Sequence, residues 1–149
     1  MVQDFSTVAA LVAANNKCNV VSNELVIAII WKESGFDDAI ENTASTATGL
    51  MQLTKGAVDE VNRLTPAGVH FDFSNMTDAA LNIQCGTYYL DILYGRFGGN
   101  LRSALNHFGT GPGYAVSLLT AEACLKAAKG QGKLIDPVKA KACLFGIHR

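Results

Sequence analysis

Hydrophobic positions recur at helical spacing along most of this chain, and the strict alternation typical of strands is nearly absent. The polar residues predicted to begin or cap helices are, in order, Ser6, Ser22, Thr54, Thr77, Asn100 and Asp136, with one or two further helices after Gly113. The second helix continues through Glu33 and ends before Gly35. The fourth is the longest and ends at Gly98-Gly99. The pattern therefore predicts a protein built mainly from α-helices.

The segment between the second and third helices, residues 36–53, has a different composition. It is rich in Thr, Ser, Ala and Asn and has no helical period. We predict an irregular stretch with a small β-hairpin that lines a cleft. The expected fold class is an all-α-dominated (α+β) single domain over residues 1–149, in which residues 115–149 form a C-terminal helical extension.

Composition and charge exclude several classes of function. Of the 149 residues, 49% are hydrophobic and 17% are charged, which is typical of one globular domain with its own core. The formal net charge of −1 argues against a nucleic-acid-binding surface. The longest apolar run, residues 25–31, is far shorter than the ~20 residues that cross a bilayer, so no membrane insertion is expected.

Four cysteines, Cys18, Cys85, Cys124 and Cys143, match no Cys-x-x-Cys metal or redox pattern. An even number fits disulfides formed in an oxidising compartment, and buried thiols that act as small hydrophobic side chains are the alternative. Cys124 and Cys143 each lie in an Ala-Cys-Leu triplet near the end of a predicted helix. This pair is therefore our first choice among the possible pairings.

Glu33 lies in the last turn of the second helix, which is apolar nearly all round. Val26, Ile29 and Ile30 share its face at about 3.6 residues per turn, so a carboxyl group is predicted to project from a buried helix. Partial burial and the negative end of the helix dipole both disfavour the charged form. A carboxyl group kept protonated near neutral pH is suited to general-acid catalysis. The alternative is a solvated helix end at which Glu33 simply meets water.

Four short motifs follow one another in order along the chain. They are Glu33-Ser34-Gly35-Phe36, Gly49-Leu50-Met51-Gln52, Asn82-Ile83 with Gly86 to Leu90, and Gly111-Pro112-Gly113. This succession resembles the catalytic domain of the soluble lytic transglycosylases and, more distantly, the goose-type lysozymes. The resemblance covers about residues 22–114 and implies a lysozyme-like fold.

In such a domain Glu33 would protonate the glycosidic oxygen between N-acetylmuramic acid and N-acetylglucosamine in peptidoglycan. The resemblance also implies a set of substrate-binding residues, namely Ser34, Gly49, Met51, Gln52, Tyr89, Phe108 and Gly111. Gly49 would let the backbone approach a bulky sugar, and Gln52 would donate to one sugar group and accept from another. Packing in the core is the alternative for Met51 and Tyr89.

The chain departs from the family where Tyr-Asn-Ala usually precedes Gly-Pro-Gly, because Phe108-Gly109-Thr110 stand there instead. The tyrosine hydroxyl and the asparagine amide are both absent from this stretch. His107 is a candidate to compensate, with a packing or surface role as the alternative. Thr46 stands where a glycine is common. These departures predict modified handling of the substrate.

Glycosidases usually use two carboxyl groups, but no Asp or Glu occurs from Asn42 through Lys55. Asp37, Asp38 and Glu41 remain, and we expect them to be solvated loop charges. A single carboxyl group suits the transglycosylase route, in which the substrate's N-acetyl group stabilises the positive centre and the muramic 6-hydroxyl closes a 1,6-anhydro ring. A muramidase that hydrolyses the same bond is the second hypothesis.

A non-catalytic peptidoglycan-binding module and a chitin-cleaving enzyme of similar fold are further hypotheses. The expected partner is the peptidoglycan glycan strand, bound by a monomer, with a secretion apparatus or a protein inhibitor as additional candidates. Cleavage of this type needs no cofactor and no metal. The expected location is the periplasm or the extracellular space. Because the N-terminus lacks the basic region and cleavage site of a signal peptide, either a leader has been removed or export follows another route.

Overall fold

The computed structural model of the chain describes residues 1–109, 113–129 and 134–147, and these ranges contain seven α-helices. The helices are α1 (Phe5–Asn15), α2 (Asn23–Ser34), α3 (Lys55–Leu64), α4 (Ala79–Arg96), α5 (Leu101–Phe108), α6 (Tyr114–Ala128) and α7 (Pro137–Phe145), with a short 3₁₀ helix at Phe73–Asn75. The prediction of a fold dominated by helices is confirmed. None of the helices in the described ranges combines the length and the apolar character needed to cross a bilayer.

Side-chain caps explain why most helices begin where the sequence predicted. The confirmed caps, each of which accepts a hydrogen bond from a backbone N–H in the first turn, are Ser22, Thr54, Asn100 and Asp136. Two predicted starts differ by one residue, because α1 begins at Phe5 rather than Ser6, with Asp4 as its cap, and Asp78 rather than Thr77 caps α4. In both cases a carboxylate stands at the cap, where it also interacts favourably with the positive end of the helix dipole.

The helix α2 lies in the centre of the core. Its six consecutive residues from Leu25 to Ile30 are at most 2% exposed, so the helix is buried all round, as its continuous apolar sequence requires. Both α1 and α6 pack against it. Because α2 carries Glu33 in its last turn, core packing determines where that carboxyl group lies.

Polar contacts join α2 to α6 near both ends of the pair. Close to the start of α2, the Ser22 hydroxyl donates to Glu122 at 2.6 Å. At the other end, the Tyr114 hydroxyl donates to Glu33. Since Tyr114 begins α6 and Glu122 lies further along it, the two helices run antiparallel. The first turn of α6 is thereby held beside the last turn of α2.

Residues 36–53 form an irregular segment with isolated antiparallel bridges. Glu41 pairs with Thr48, and Thr48 pairs with Leu53 through two backbone hydrogen bonds of 3.0 Å. The irregular character predicted for this segment agrees with the structure. The predicted β-hairpin is reduced to single bridges, because the chain reverses at Gly49–Gln52 after one residue pair.

The cysteines divide into one disulfide and two buried thiols. Cys124 and Cys143 form a disulfide between α6 and α7, which confirms the pair chosen from the sequence. Cys18 and Cys85 are buried as free thiols. Burial raises the pKa of the Cys85 thiol to about 12, so it behaves as a small hydrophobic side chain.

Reduction of the disulfide is expected to lower the free energy of unfolding by about 3 kcal/mol, because the cross-link restricts the unfolded chain. The two cysteines are separated by 19 positions in the sequence. Urea unfolding with and without a reductant measures the difference. The control is the double variant Cys124→Ser/Cys143→Ser, which should unfold at the same urea concentration in both conditions. An unchanged wild-type midpoint on reduction would contradict a stabilising role for the cross-link.

Candidate active site

Two consecutive residues in the left-handed backbone region end the helix that carries Glu33. Gly35 (φ 59°) is the C-cap and donates its N–H to the carbonyl of Trp31, and Phe36 follows at φ 69°. This conformation costs a residue with a Cβ about 1–2 kcal/mol, so contacts must hold Phe36 in place. Its ring packs edge-on against Trp31 at 5.1 Å, and its carbonyl accepts from the N–H of Gln3 at 2.8 Å. Core packing therefore determines the direction of the chain after the acid.

The environment of Glu33 favours its protonated form. The side chain is half-buried at the end of an apolar helix, and this burial raises its pKa. The hydrogen bond from Tyr114 and the positive charge of Lys32 both act to lower the pKa, but burial is the larger effect. The pKa of Glu33 is thus raised in the structure, as its position on a buried helix predicted.

Tyr114 is the site residue that the sequence did not reveal. Its hydroxyl lies 2.6 Å from Glu33 Oε2, although the two residues are 81 positions apart. The side chain is 5% exposed. Burial and the neighbouring carboxylate raise the pKa of the Tyr114 hydroxyl well above its ordinary value, so it keeps its proton and acts as a donor. The one signal in the sequence is a tyrosine directly after Gly-Pro-Gly, and only the packing of α6 on α2 relates it to Glu33.

Asn106 on α5 supports the first turn of α6. The N-cap of α6 is Gly113, which has no side chain to accept a hydrogen bond. The side-chain oxygen of Asn106 accepts instead from the N–H of Ala115 at 3.0 Å. The residue that follows Tyr114 is thus bound to the neighbouring helix, which holds the backbone beneath the tyrosine.

One buried amide anchors the Gly49–Gln52 turn to α4. Asn82 accepts from the N–H of Met51 at 2.8 Å, and it donates to the carbonyls of Thr48 at 3.0 Å and Met76 at 2.9 Å. The side chain is fully buried, so these three bonds satisfy polar groups that water does not reach. Two motifs that are separate in the sequence therefore form one structural unit.

Two glycines let this turn lie directly on α4. A Cβ on Gly49 would lie 2.2 Å from the carbonyl oxygen of Met76, and a Cβ on Gly86 would lie 2.4 Å from the sulfur of Met51. The close approach at Gly49 in this structure is to the protein itself, and the approach to a sugar stays a prediction. Met51 is fully buried over Gly86, in the core position that was the alternative to substrate binding.

Comparison with known families agrees with this arrangement. The profile of the family described as "Transglycosylase SLT domain" matches residues 10–122, which is 113 of the 149 residues. The chain belongs to the transglycosylase SLT domain family. The match begins within α1 and ends within α6, so it includes both Glu33 and Tyr114.

Solved structures share the fold of this SLT domain. The 70 kDa soluble lytic transglycosylase of Escherichia coli matches 94% of the chain with a TM-score of 0.58 and 21% identity. The 70 kDa soluble lytic transglycosylase in complex with bulgecin A matches 91% with a TM-score of 0.60 and 21% identity. An inactive Glu-to-Gln mutant of the lytic transglycosylase Slt from Pseudomonas aeruginosa matches 94% with a TM-score of 0.55 and 20% identity. The chain spans only 20–21% of the length of these proteins.

Ser34 and Gln52 of the SLT domain both bind backbone carbonyls. Ser34 is fully buried and donates to the carbonyl of Ile30 at 3.0 Å, so its hydroxyl is engaged within α2, and its predicted contact with a substrate stays a prediction. Gln52 is half-buried, and its amide donates to the carbonyls of Ile40 at 3.1 Å and Gly49 at 3.0 Å. Gln52 also adopts a left-handed backbone (φ 50°), which these bonds hold in place. In this structure Gln52 therefore links two parts of the loop after Glu33, at Ile40 and at Gly49.

The remaining predicted binding residues fall into two groups. The half-buried rings of Tyr89 and Phe108 contact each other with their centroids 5.8 Å apart, so the structure brings α4 and the end of α5 together here. Gly111 lies outside the described residues. His107, considered as a compensating group, is exposed and packs against the ring of Phe97 at 5.5 Å, which is the packing role.

The three candidates for a second carboxyl group lie in the loop after α2. Asp37 accepts from the N–H of Ala39 at 3.1 Å, and Asp38 accepts from the amide of Gln3 at 2.7 Å. Glu41 is exposed. The first two carboxylates take part in local contacts of the loop, and this agrees with the interpretation of the three as ordinary loop charges.

Two grooves of the surface do not contain Glu33. One of about 540 Å³ lies between α1, the start of α2 and Ile135, and one of about 360 Å³ lies between Gln3, Trp31 and Lys141. Of the 36–53 stretch, only Phe36 lines the second groove, and none of its residues lines the first. The cleft expected along residues 36–53 therefore stays a prediction.

Replacement of Asn82 by alanine is expected to destabilise the protein by about 3 kcal/mol, because it leaves buried backbone groups without partners. The released Gly49–Gln52 turn should also lower activity per folded molecule. The control is Asn62→Ala, since Asn62 binds both the N–H and the carbonyl of Phe71 at 2.8 Å and anchors a different loop. Urea unfolding and the cleavage rate of the folded fraction should show a stability loss in both variants and an activity loss only in Asn82→Ala.

Replacement of Glu33 by glutamine is expected to stabilise the protein at neutral pH. The pKa of Glu33 is raised in the folded state, so the folded protein retains a proton that the unfolded chain has lost, and stability falls as pH rises through this window. Below the ordinary glutamate range both states are protonated and the advantage of glutamine should vanish. Thermal unfolding across pH measures the difference in melting temperature between Glu33→Gln and the wild type, with Glu41→Gln as a control for the removal of a charge. A difference that increases toward acid pH would contradict the raised pKa of Glu33.

Proposed function

We propose that this SLT domain cleaves the β-1,4 glycosidic bond between N-acetylmuramic acid and N-acetylglucosamine in peptidoglycan and leaves a 1,6-anhydromuramic end. The observation that carries the proposal is a half-buried Glu33 with a raised pKa, hydrogen-bonded to a tyrosine that keeps its own proton. Structural relatives are lytic transglycosylases, and one of them is inactive after exchange of a glutamate for glutamine.

In the first step Glu33 donates its proton to the glycosidic oxygen. Tyr114 donates to Oε2, so Oε1 is the oxygen that carries the transferable proton. The N-acetylglucosamine side leaves as an alcohol, and the electron deficiency at the muramic anomeric carbon is stabilised by the oxygen of the substrate's own N-acetyl group. The protein needs to supply one acid and no nucleophile for this step.

In the second step the Glu33 carboxylate removes the proton of the muramic 6-hydroxyl. The freed oxygen bonds to the anomeric carbon and displaces the N-acetyl oxygen, so the ring closes and Glu33 regains its proton. Between the two steps Glu33 carries a charge in a desolvated position, and the hydrogen bond from Tyr114 stabilises that charge. The raised pKa of Tyr114 keeps it a donor throughout.

The contacts of Asp37 and Asp38, two of the three candidates for a second carboxylate, favour this route over hydrolysis. Inverting hydrolases need a second carboxylate to activate water, and retaining hydrolases need one as nucleophile. Asp37 and Asp38 are engaged by the N–H of Ala39 and the amide of Gln3. Glu33 alone can act as acid and then as base when the substrate supplies both the internal nucleophile and the hydroxyl.

The site of action that fits this function lies outside the cytoplasm. Disulfides persist in the periplasm and in the extracellular space, and Cys124–Cys143 is such a bond. Peptidoglycan is the proposed partner in that compartment. A secretion apparatus or a protein inhibitor would be an additional partner.

Digestion of purified sacculi by the wild type and by Glu33→Gln tests the proposal. Mass spectrometry of the released fragments should find products one water lighter than hydrolysis products. The Glu33→Gln rate should fall by about 10²–10⁴-fold, because the general acid is lost. Glu41→Gln, which removes an exposed carboxylate eight positions further along, is the matched control and should retain activity.

The alternatives give different fragments. Reducing ends in place of anhydro ends would make the protein a muramidase and would direct the search for a second carboxylate to Asp37, Asp38 and Glu41. Cleavage of chitin oligosaccharides with no release from sacculi would indicate a chitin-cleaving enzyme. Sacculus binding without release, on substrate that a control lysozyme digests, would indicate a binding module.

A further inference from the structure

The backbone of Gly109 lies directly against the ring of Tyr114. A Cβ at Gly109 would lie 2.1 Å from Cε2, 2.2 Å from Cζ and 2.3 Å from Cδ2 of that ring. Such distances are far below van der Waals contact, so any side chain at this position would displace its neighbour. The φ of Gly109 is −95°, so its backbone does not lie in the left-handed region that favours glycine. The need for glycine here therefore arises from space and not from backbone conformation.

The Tyr114 ring is confined by its surroundings. It is 5% exposed, and its hydroxyl is bound to Glu33 at 2.6 Å. The next residue, Ala115, is 1% exposed, and its N–H is bound to the side chain of Asn106. Leu118, one turn further along α6, is fully buried. The backbone that carries the ring is thus held by the core, and the ring cannot withdraw freely.

We propose that Gly109 is a positioning residue for the general acid, because its missing side chain leaves the space from which the Tyr114 hydroxyl reaches Glu33. Cζ, one of the nearest ring atoms, is the carbon that bears the hydroxyl. A Cβ at Gly109 pushes this end of the ring away by about 1 Å, and a misplacement of that size in an active site costs on the order of 100-fold in rate. The proposal rests on the proposed function for its effect on catalysis.

The same geometry accounts for one departure of this chain from its family. Asparagine is usual at the position of Gly109, and here its Cβ would occupy the volume of the Tyr114 ring. In this chain the asparagine and the present position of Tyr114 exclude each other. With glycine instead of asparagine at position 109 the chain lacks an amide there, but it has room for the Tyr114 ring, whose hydroxyl binds Glu33.

A stability cycle tests the steric part without any assay of activity. Gly109→Ala should lower the melting temperature in the wild-type background, because the Cβ meets the ring. In the Tyr114→Ala background the ring is absent, so the same substitution should leave the melting temperature nearly unchanged. Gly95→Ala, at an exposed helical position where a Cβ meets nothing within 4 Å, is the matched control and should not destabilise either background.

An activity cycle tests the positioning part. Gly109→Ala and Tyr114→Phe should each reduce the rate of sacculus cleavage by about 10–100-fold, and the double variant should be no slower than Tyr114→Phe. Loss of the donated hydrogen bond raises the pKa of Glu33 further, so the alkaline limb of the pH–rate profile should move to higher pH in all three variants. Gly95→Ala should keep the wild-type rate and profile.

The outcomes separate the possibilities. If Gly109→Ala does not fold while Gly109→Ala/Tyr114→Ala does, the steric conflict with the ring is established. An equal loss of stability in both backgrounds overturns the proposal, because the conflict would then not be with the Tyr114 ring. A Gly109→Ala protein with wild-type rate and pH profile also overturns it, because the added carbon would then not displace the Tyr114 hydroxyl from Glu33. A wild type that releases no fragments defeats the proposed function, and the stability cycle still reports on the Gly109–Tyr114 conflict.

Discussion

The antiparallel packing of α6 on the buried helix α2 is the constraint on which the site depends. It places Tyr114, the first residue of one helix, beside Glu33 in the last turn of the other. At the far end of the pair, Ser22 binds Glu122, so the helices are joined near both ends. A carboxyl group in such a place is desolvated, and this opposes its ionisation while the tyrosine hydroxyl supports it. These two opposing effects make Glu33 suited to donate a proton and afterwards to accept one.

Most other motif residues act on this site through packing. Gly49 and Gly86 remove the side chains that would separate the Gly49–Gln52 turn from α4, and Met51 fills the space over Gly86. Asn82 satisfies three backbone groups of the same region. Gly49, Met51 and Gln52, three of the residues predicted to bind the sugar, thus take part in building this turn. Their contacts with a substrate stay a prediction.

The stretch that departs from the family pattern, Phe108-Gly109, packs against two tyrosines. Phe108 cannot donate a hydrogen bond and packs against Tyr89, while Gly109 brings no side chain at all. The space left by Gly109 is filled by Tyr114, whose hydroxyl comes from the next helix. The absence of polar side chains at Phe108 and Gly109 is therefore coupled to the hydrogen bond between Tyr114 and Glu33, which the sequence alone does not reveal.

The sequence by itself determined the helices and most of their caps, because hydrophobic period and capping are local properties of the chain. It suggested Cys124–Cys143 as the first choice of disulfide, and the packing of α7 on α6 decided it. It also predicted the direction in which the pKa of Glu33 is shifted, since a continuous apolar run implies a buried helix, but it left a solvated helix end as the alternative, and the burial that raises the pKa is a property of the structure. Only the tertiary structure decided that Tyr114 meets Glu33 and that Ser34 and Met51 face the core. Those facts depend on how helices that are far apart in the sequence pack against one another. The hydrophobic period of one helix shows which of its faces is buried, but it does not specify the position of a second helix on that face.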